Sequence, residues 1–189
     1  QPNEQKGIVK NLVTGRDVEI ATASYGQGIA MTPMETVRAL AALANGGMLI
    51  TPHVVSSIEY SDGTTEDSAA IYAEKATRVL KEETTRNVTD MLVKVVDTSL
   101  KKGQAKMARY TIAAKTGTAQ IADPVNGGYY DDRYLHSFFG YFPAYNPKFI
   151  VFLYHLYPKG AEYASETLTD PFMQLTKFLI NYYEIPPDR

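Results

Sequence analysis

Apolar residues first adopt a helical pattern in the segment that follows Thr32. Thr32 is a good N-cap, Pro33 stands at the first helical position and Glu35 at the third, which together form a capping box. Apolar residues then recur at three- and four-residue intervals over residues 37–44, and the Asn-Gly-Gly sequence at 45–47 interrupts them. The sequence therefore predicts a helix that begins at Thr32 and ends before residue 45.

The same periodicity predicts two more helices. One begins at Thr84 or Thr85 and runs to about Lys102, and the other spans residues 165–183. Each has an apolar face, formed by Val88, Met91, Leu92, Val95, Val96 and Leu100 in the first helix and by Phe172, Leu175, Phe178, Leu179 and Tyr182 in the second. The face of the closing helix is expected to cover a sheet.

Runs rich in apolar and aromatic residues predict three successive strands, over residues 110–121, 136–142 and 149–157. A tight connector with two prolines joins the last two strands, which should pair as an antiparallel hairpin. Residues 1–23 are predicted to be an irregular lead-in, and residues 123–134 a flexible loop beside the first strand. The predicted fold is α+β, with an antiparallel sheet flanked by helices.

Composition narrows the functions that this chain can have. Its 189 residues, 44% of them hydrophobic, suffice to bury a core, so residues 1–189 are expected to lie within one domain. A formal net charge of −2 and the lack of any Lys or Arg run argue against a nucleic-acid partner. There is no Cys, and His53, His136 and His155 lack metal-ligand spacing, so no metal site is predicted.

The candidate chemistry lies in the tetrad Lys115-Thr116-Gly117-Thr118, within the first predicted strand. Lys115 offers a cation, and the Thr116 and Thr118 hydroxyls could hold a carboxylate. Gly117 has no Cβ, so a ligand backbone could lie close against the strand. Alone, such a motif is also found in ordinary surface turns and strand ends, so its meaning depends on the surrounding sequence.

The motifs around this tetrad resemble those of the penicillin-binding transpeptidase family. Upstream stand SYGQGI at residues 24–29 and AALANGG at 41–47; downstream, HSFFGYFPA stands at 136–144. The resemblance covers most of residues 24–157 and is closest to the monofunctional class B enzymes of the division or sporulation type. It implies that residues 1–189 are the C-terminal part of a transpeptidase domain, with the fold shared by penicillin-binding proteins and serine β-lactamases.

Two motifs of this family are missing from the chain. The family's nucleophile and a base-like lysine come from one S-x-x-K helical turn, and an S-x-N triplet supplies a further hydroxyl. No Ser is followed two residues later by Asn, and the one S-x-x-K string begins at Ser99, at the end of a predicted helix just before Gly103. Lysines there are typical of a helix C-terminus, so we reject Ser99 as the nucleophile. Since the chain begins at Gln1 without an apolar anchor, we expect the nucleophile, the S-x-N triplet and a membrane anchor to precede it.

The resemblance implies a bacterial peptidoglycan D,D-transpeptidase, anchored in the cell membrane with this domain on the extracytoplasmic side. Its expected ligands are peptidoglycan stem peptides and β-lactams, and its expected partners are other cell-wall synthesis proteins, bound through the missing N-terminal part. No metal or organic cofactor is expected, because covalent catalysis and hydrogen bonds carry the reaction of this family. Lys115, Thr116, Gly117 and Thr118 would bind substrate, and the Thr118 main-chain N–H would be an oxyanion-hole donor. A non-catalytic penicillin-binding sensor or interaction module stays open as an alternative, followed by a serine β-lactamase or carboxypeptidase. The isolated chain is expected to be inactive.

Overall fold

The computed structural model describes residues 5–189 and contains both helices and antiparallel strands in this part of the chain. The α-helices are α1 (Lys10–Thr14), α2 (Asp17–Ala23), α3 (Pro33–Ala44), α4 (Ser68–Glu74), α5 (Glu82–Lys94), α6 (Ala164–Thr167) and α7 (Thr169–Tyr182). The strands are β1 (Met48–Leu49), β2 (Ser57–Glu59), β3 (Thr65–Asp67), β4 (Thr77–Arg78), β5 (Ala113–Ala122), β6 (Tyr129–Phe142) and β7 (Phe149–Leu156).

The main sheet consists of the three long strands in the order β5-β6-β7, and both pairings are antiparallel. The β6–β7 hairpin predicted from the sequence is confirmed. Two small antiparallel pairs, β1 with β4 and β2 with β3, lie outside this sheet. The predicted α+β class is also confirmed. Because β5 has a strand neighbour on one side only, its other edge is free of strand pairing within the described chain.

Helix α7 covers one face of the sheet. Phe172 of α7 stacks on Phe138 of β6, with ring centroids 4.3 Å apart, and both side chains are fully buried. Gly140 lies beneath the Phe172 ring and leaves room for it, since a Cβ at this position would overlap the ring. Ala114 of β5 belongs to the same core. The closing helix therefore covers the sheet as predicted, but only part of its predicted face does so. Phe172 is buried, whereas Phe178 and Tyr182 are exposed, and the helix buries Met173, Thr176 and Ile180 instead.

Helices α3 and α5 pack against the opposite face. Ala113, the neighbour of Ala114 along β5, is fully buried there with Tyr141 and with Val93 of α5. The Tyr141 hydroxyl lies 2.6 Å from Thr89 Oγ1 of α5, and burial raises the pKa of Tyr141. Successive residues of β5 thus enter two different cores on the two faces of the sheet.

Helix α3 begins as its sequence predicts. Thr32 is the N-cap and its hydroxyl accepts from the Glu35 N–H at 3.1 Å, while the Glu35 carboxylate accepts from the Thr32 N–H at 2.9 Å. The same carboxylate also accepts from the Gly7 N–H at 3.1 Å. These main-chain hydrogen bonds lower the pKa of Glu35, because they stabilise its charged form.

The second predicted helix ends earlier than its periodicity suggests. Helix α5 stops at Lys94 and is followed by a π-helical turn (Val95–Ser99) and a 3₁₀ turn (Leu100–Gly103). Val96 and Leu100 remain buried, so the apolar pattern continues through this change of geometry. Lys101 and Lys102 have φ angles of 49° and 58°, which an α-helix does not allow.

Other predicted boundaries also differ from the structure. Helix α5 begins at Glu82, with Lys81 as its N-cap, rather than at Thr84 or Thr85, and β5 begins at Ala113 rather than at residue 110. The expected irregular lead-in at 1–23 contains α1 and α2, whose short length gives a weak periodic signal; residues 1–4 lie outside the described residues. The expected loop at 123–134 is shorter, because β6 already begins at Tyr129. The closing helix is divided at Leu168 into α6 and α7.

Candidate functional site

The open edge of β5 carries the tetrad. Lys115, Thr116, Gly117 and Thr118 pair in unbroken register with residues 139 to 136 of β6. Lys115 and Thr118 are exposed, and Thr116 and Gly117 are half-buried. The structure therefore brings the four predicted site residues together on one accessible stretch of an edge strand.

Strand geometry determines which main-chain groups face this edge. In an antiparallel pair, successive residues direct their N–H and C=O groups alternately towards and away from the partner strand. The Gly117 C=O faces β6, since the Ser137 hydroxyl approaches it at 3.4 Å. The N–H and C=O groups of Thr116 and Thr118 therefore point to the open edge, where an extended peptide could pair with them.

Lys115 places its charge on the same edge. Its side chain leaves β5 on the face that packs against α3 and α5, and its ammonium turns back to donate to the Thr116 C=O at 2.8 Å. A cation thus lies beside the main-chain groups that face outwards. It can interact with an anionic group of a ligand that occupies the edge.

Gly117 lies in regular strand geometry. It pairs with Ser137, and the register shift in β5 falls further along, between Gln120 and Ala122, so Gly117 forms neither a bulge nor a left-handed bend. A Cβ at Gly117 would lie 2.6 Å from Ser137 Oγ and 3.9 Å from Ser137 Cβ, and apart from its chain neighbours it would meet no other residue within 4 Å. Only one small polar side chain limits the space at this position.

Helix α6 orients the hydroxyl of Thr118. The Ala164 N–H, in the first turn of α6, donates to Thr118 Oγ1 at 3.0 Å. This contact uses a lone pair of the hydroxyl and leaves its proton available to an acceptor. Thr118 therefore offers two donors, its main-chain N–H at the open edge and its O–H.

His136 lies opposite Thr118 in the sheet, whereas the sequence marked it only as one of three His that lack metal-ligand spacing. The residue is fully buried, and both ring nitrogens have partners. Its place within HSFFGYFPA was visible, but its pairing with Thr118 depends on the hairpin register, which the sequence does not give.

Ser99 lies away from this edge, in the turn that follows α5. It is exposed, and its hydroxyl approaches that of Thr98 at 3.3 Å. Because Lys101 and Lys102 have left-handed φ angles, Ser99 and Lys102 do not share one face of an α-helix, and the Lys101 ammonium pairs with Asp170. The geometry supports the rejection of this S-x-x-K string.

The far end of the β5–β6 hairpin contacts the glycine-rich segment at 24–29. The Tyr129 hydroxyl accepts from the Gly28 N–H at 3.0 Å, and the Gly28 C=O accepts from the Asn11 side chain at 2.7 Å. Near it, the Arg133 guanidinium lies 4.0 Å from the centre of the Tyr130 ring. The hairpin tip is therefore tied to the segment that carries the Gly-Gln-Gly sequence.

Neither a metal-ion cluster nor a membrane-spanning helix is found within residues 5–189. In this part of the chain no three His, Asp or Glu side chains are grouped in a way that could hold a metal ion. Nor does any helix described here combine the length and apolarity that crossing a bilayer requires.

Comparison with known proteins gives a consistent family assignment. Residues 1–175 match the family model of the penicillin binding protein transpeptidase domain. Stage V sporulation protein D of Bacillus subtilis is 32% identical over 171 residues, which cover 90% of this chain and 26% of that protein. Penicillin-binding protein PbpB of Mycolicibacterium smegmatis is 29% identical over 194 residues, or 98% of this chain and 29% of the relative. The chain thus spans about a quarter to a third of the length of these relatives.

Solved structures extend the similarity to the fold. Penicillin binding protein 3 of Mycobacterium tuberculosis, in its apo form, superposes with a TM-score of 0.81 at 26% identity, over 100% of this chain and 43% of that one. The same protein complexed with aztreonam or with ampicillin gives the same TM-score at 25% and 26% identity.

Proposed function

Because the chain belongs to the penicillin-binding protein transpeptidase family, we propose that it supplies the substrate-binding strand of a peptidoglycan D,D-transpeptidase. In this proposal residues 1–189 are the C-terminal part of one transpeptidase domain, and the serine nucleophile belongs to a longer parent protein. The observation that carries the proposal is the open edge of β5 at Thr116 and Thr118, with the Lys115 ammonium beside it.

The edge suits an acyl donor that ends in D-Ala-D-Ala. An extended stem peptide pairs with the outward-facing groups of Thr116 and Thr118, as an added strand does in other peptide complexes. The nucleophilic serine of the parent protein attacks the carbonyl between the two D-Ala residues, and the Thr118 N–H donates to the oxygen that becomes negative. Such a donor is typically worth about 2.7–4 kcal/mol in the transition state. The D-Ala leaves, and an amine of a neighbouring stem peptide takes up the acyl group.

The terminal carboxylate of the stem peptide would meet only hydrogen-bond donors at this edge. A carboxylate only accepts hydrogen bonds, and this edge offers the Lys115 ammonium together with the Thr116 and Thr118 hydroxyls. The contact from Ala164 occupies a lone pair of Thr118 and leaves its O–H to donate. Gly117 has no side chain between these groups, so the ligand backbone can approach the strand closely.

β-Lactams are the second ligand class that we propose. Structures of the similar Mycobacterium tuberculosis protein hold aztreonam and ampicillin. A β-lactam presents a strained amide next to an anionic group, so it would use the same Thr118 N–H and the same cationic edge. We further propose that the parent protein is a bacterial, membrane-anchored enzyme of division or sporulation, with this domain on the extracytoplasmic side and with partners among the cell-wall synthesis proteins.

Fluorescent penicillin tests this proposal in two samples. The 189-residue chain should remain unlabelled, because its one S-x-x-K string lies on a π turn and a left-handed turn. The protein encoded by the complete reading frame should be labelled at a serine of an S-x-x-K motif upstream of Gln1. Labelling of the chain at Ser99 would contradict the assignment of the nucleophile.

The complete reading frame also separates the alternatives. A parent protein without an upstream S-x-x-K that binds penicillin reversibly would be a non-catalytic sensor or interaction module. Rapid hydrolysis of the penicilloyl-enzyme would instead indicate a serine β-lactamase or a carboxypeptidase. Persistent labelling together with cross-linking of stem peptides supports the transpeptidase.

A further inference from the structure

Residue His136 is the most completely enclosed titratable side chain next to the proposed site. None of its surface is exposed, and it lies opposite Thr118 in the register of β5 and β6. Its imidazole leaves the sheet on the same face as the Thr118 side chain, towards the segment at 162–167 that leads into and forms α6. Neither substrate binding nor the acyl transfer described above uses this ring.

Both ring nitrogens of His136 bind that segment. Nε2 lies 3.0 Å from the Glu162 C=O, and a carbonyl oxygen only accepts, so Nε2 carries a proton. In the neutral ring Nδ1 then has a free lone pair, which accepts the Thr167 hydroxyl proton at 2.8 Å. The Ala164 C=O is a more distant acceptor for that hydroxyl, at 3.5 Å. The imidazole therefore joins the two ends of the 162–167 segment.

The same segment also binds Thr118. The Ala164 N–H, between the two ends that His136 holds, donates to Thr118 Oγ1 at 3.0 Å. Thr118 lies opposite His136 in the ladder, but its N–H and C=O face the open edge, so its side-chain contact with Ala164 is what ties it to this segment. A change in the imidazole contacts reaches Thr118 by a path of two hydrogen bonds.

We propose that His136 and Thr167 are positioning residues for acylation: they hold residues 162–167 against β5 so that the Thr118 N–H keeps its place at the open edge. The proposal rests on the oxyanion-hole role proposed for Thr118. We expect their loss to lower the rate of acylation, because displacement of this N–H destabilises the transition state more than the initial complex.

Thr167→Val in the parent protein is the principal test, because valine keeps the shape of the side chain and removes the O–H. We expect the acylation rate constant at saturating fluorescent penicillin to fall about tenfold, a part of the roughly 10²–10³-fold loss that follows removal of an oxyanion-hole donor. The half-saturating penicillin concentration should change less than about twofold. Thr167→Ser, which keeps the hydroxyl, should react within about twofold of wild type.

His136→Gln and His155→Gln form a matched pair. His155 is the ladder partner of His136 on β7, one strand further from β5, and its side chain is exposed. The His136 variant should lose acylation rate, whereas the His155 variant should not. Wild-type rates in both Thr167→Val and His136→Gln would overturn the proposal, and so would equal losses in Thr167→Val and Thr167→Ser.

Amide hydrogen exchange gives a readout that does not depend on acylation. The peptide that contains Ala164 should exchange faster in Thr167→Val than in Thr167→Ser, because the segment is released from His136. Unchanged exchange would overturn the inference whatever the reactivity of the protein. If exchange rises but the wild-type parent is never acylated, the proposed function fails while the coupling between His136 and the 162–167 segment stands.

Discussion

Two glycines of the main sheet should respond in opposite ways to the addition of a methyl group. Gly117 of β5 and Gly140 of β6 both lie in regular strand conformation. A Cβ at Gly140 would overlap the Phe172 ring and lie 2.9 Å from Ala114 Cβ, whereas a Cβ at Gly117 would meet only Ser137 Oγ. Gly140 is therefore enclosed by core side chains, whereas Gly117 has only the Ser137 hydroxymethyl group close to it.

The expected free energies follow from these neighbours. Phe172 and Ala114 are both buried and cannot move independently, so Gly140→Ala should cost about 1–3 kcal/mol through overpacking. At Gly117 the Ser137 side chain can rotate away and loses only a long contact of 3.4 Å. Alanine regains about 0.5–1 kcal/mol over glycine in a strand, so Gly117→Ala should change the free energy of unfolding by less than about 1 kcal/mol.

Thermal and urea unfolding of the 189-residue chain would measure this difference. For a protein of this size 1 kcal/mol corresponds to about 2–4 °C, so Gly140→Ala should melt about 2–12 °C lower and Gly117→Ala within about 4 °C of wild type. Ser137→Ala combined with Gly117→Ala is the control, because it removes the one close neighbour. Equal losses in the two single variants, or a larger loss at Gly117, would refute the reasoning. In the parent protein Gly117→Val should nevertheless abolish penicillin binding, since its side chain occupies the ligand face.

Two further changes test the edge and the core. Lys115→Ala in the parent protein should slow acylation by β-lactams by tenfold or more with little change in melting temperature, because an exposed cation beside the ligand is lost; an unchanged rate would make Lys115 an ordinary surface residue. Tyr141→Phe should lower the free energy of unfolding at neutral pH by about 0.5–1.5 kcal/mol, since the hydrogen bond to Thr89 is lost. Burial raises the pKa of Tyr141, so wild type should lose stability as the pH rises above about 10, the pKa of an unfolded tyrosine, and the variant should lose less over that range; parallel pH profiles would contradict this.

Local sequence signals predicted the parts of the fold that local interactions determine. Thr32, Pro33 and Glu35 predicted the start of α3, because a capping box involves only neighbouring residues. The predicted end of α5 was wrong. Val96 and Leu100 continue the apolar pattern beyond Lys94, and the periodicity does not distinguish the π turn from an α-helix. Short elements with little buried surface, such as α1 and α2, gave too weak a periodic signal to be predicted.

The candidate site also has one part that the sequence predicted and one that it did not. The tetrad at 115–118 could be located from its residue types and from the motifs around it, because these lie in one stretch of sequence. Its surroundings could not: the contacts from Ala164 to Thr118 and from His136 to Thr167 join residues 46 and 31 positions apart. Such contacts depend on the hairpin register and on the place where α6 docks.

Ala113 and Ala114, directly before Lys115, belong to different cores on opposite faces of the sheet, and both are almost completely buried. A slip of β5 by one residue would turn both alanines to the opposite faces and carry either Ile112 or Lys115 into a place that alanine now fills, so the strand has a single alignment relative to the helices on both sides. Lys115 is therefore sensitive to residues it never touches. Ligand recognition at the edge can therefore change without any substitution in the tetrad. A substitution in α5 can shift Lys115 through Ala113, and one in α7 can do so through Ala114.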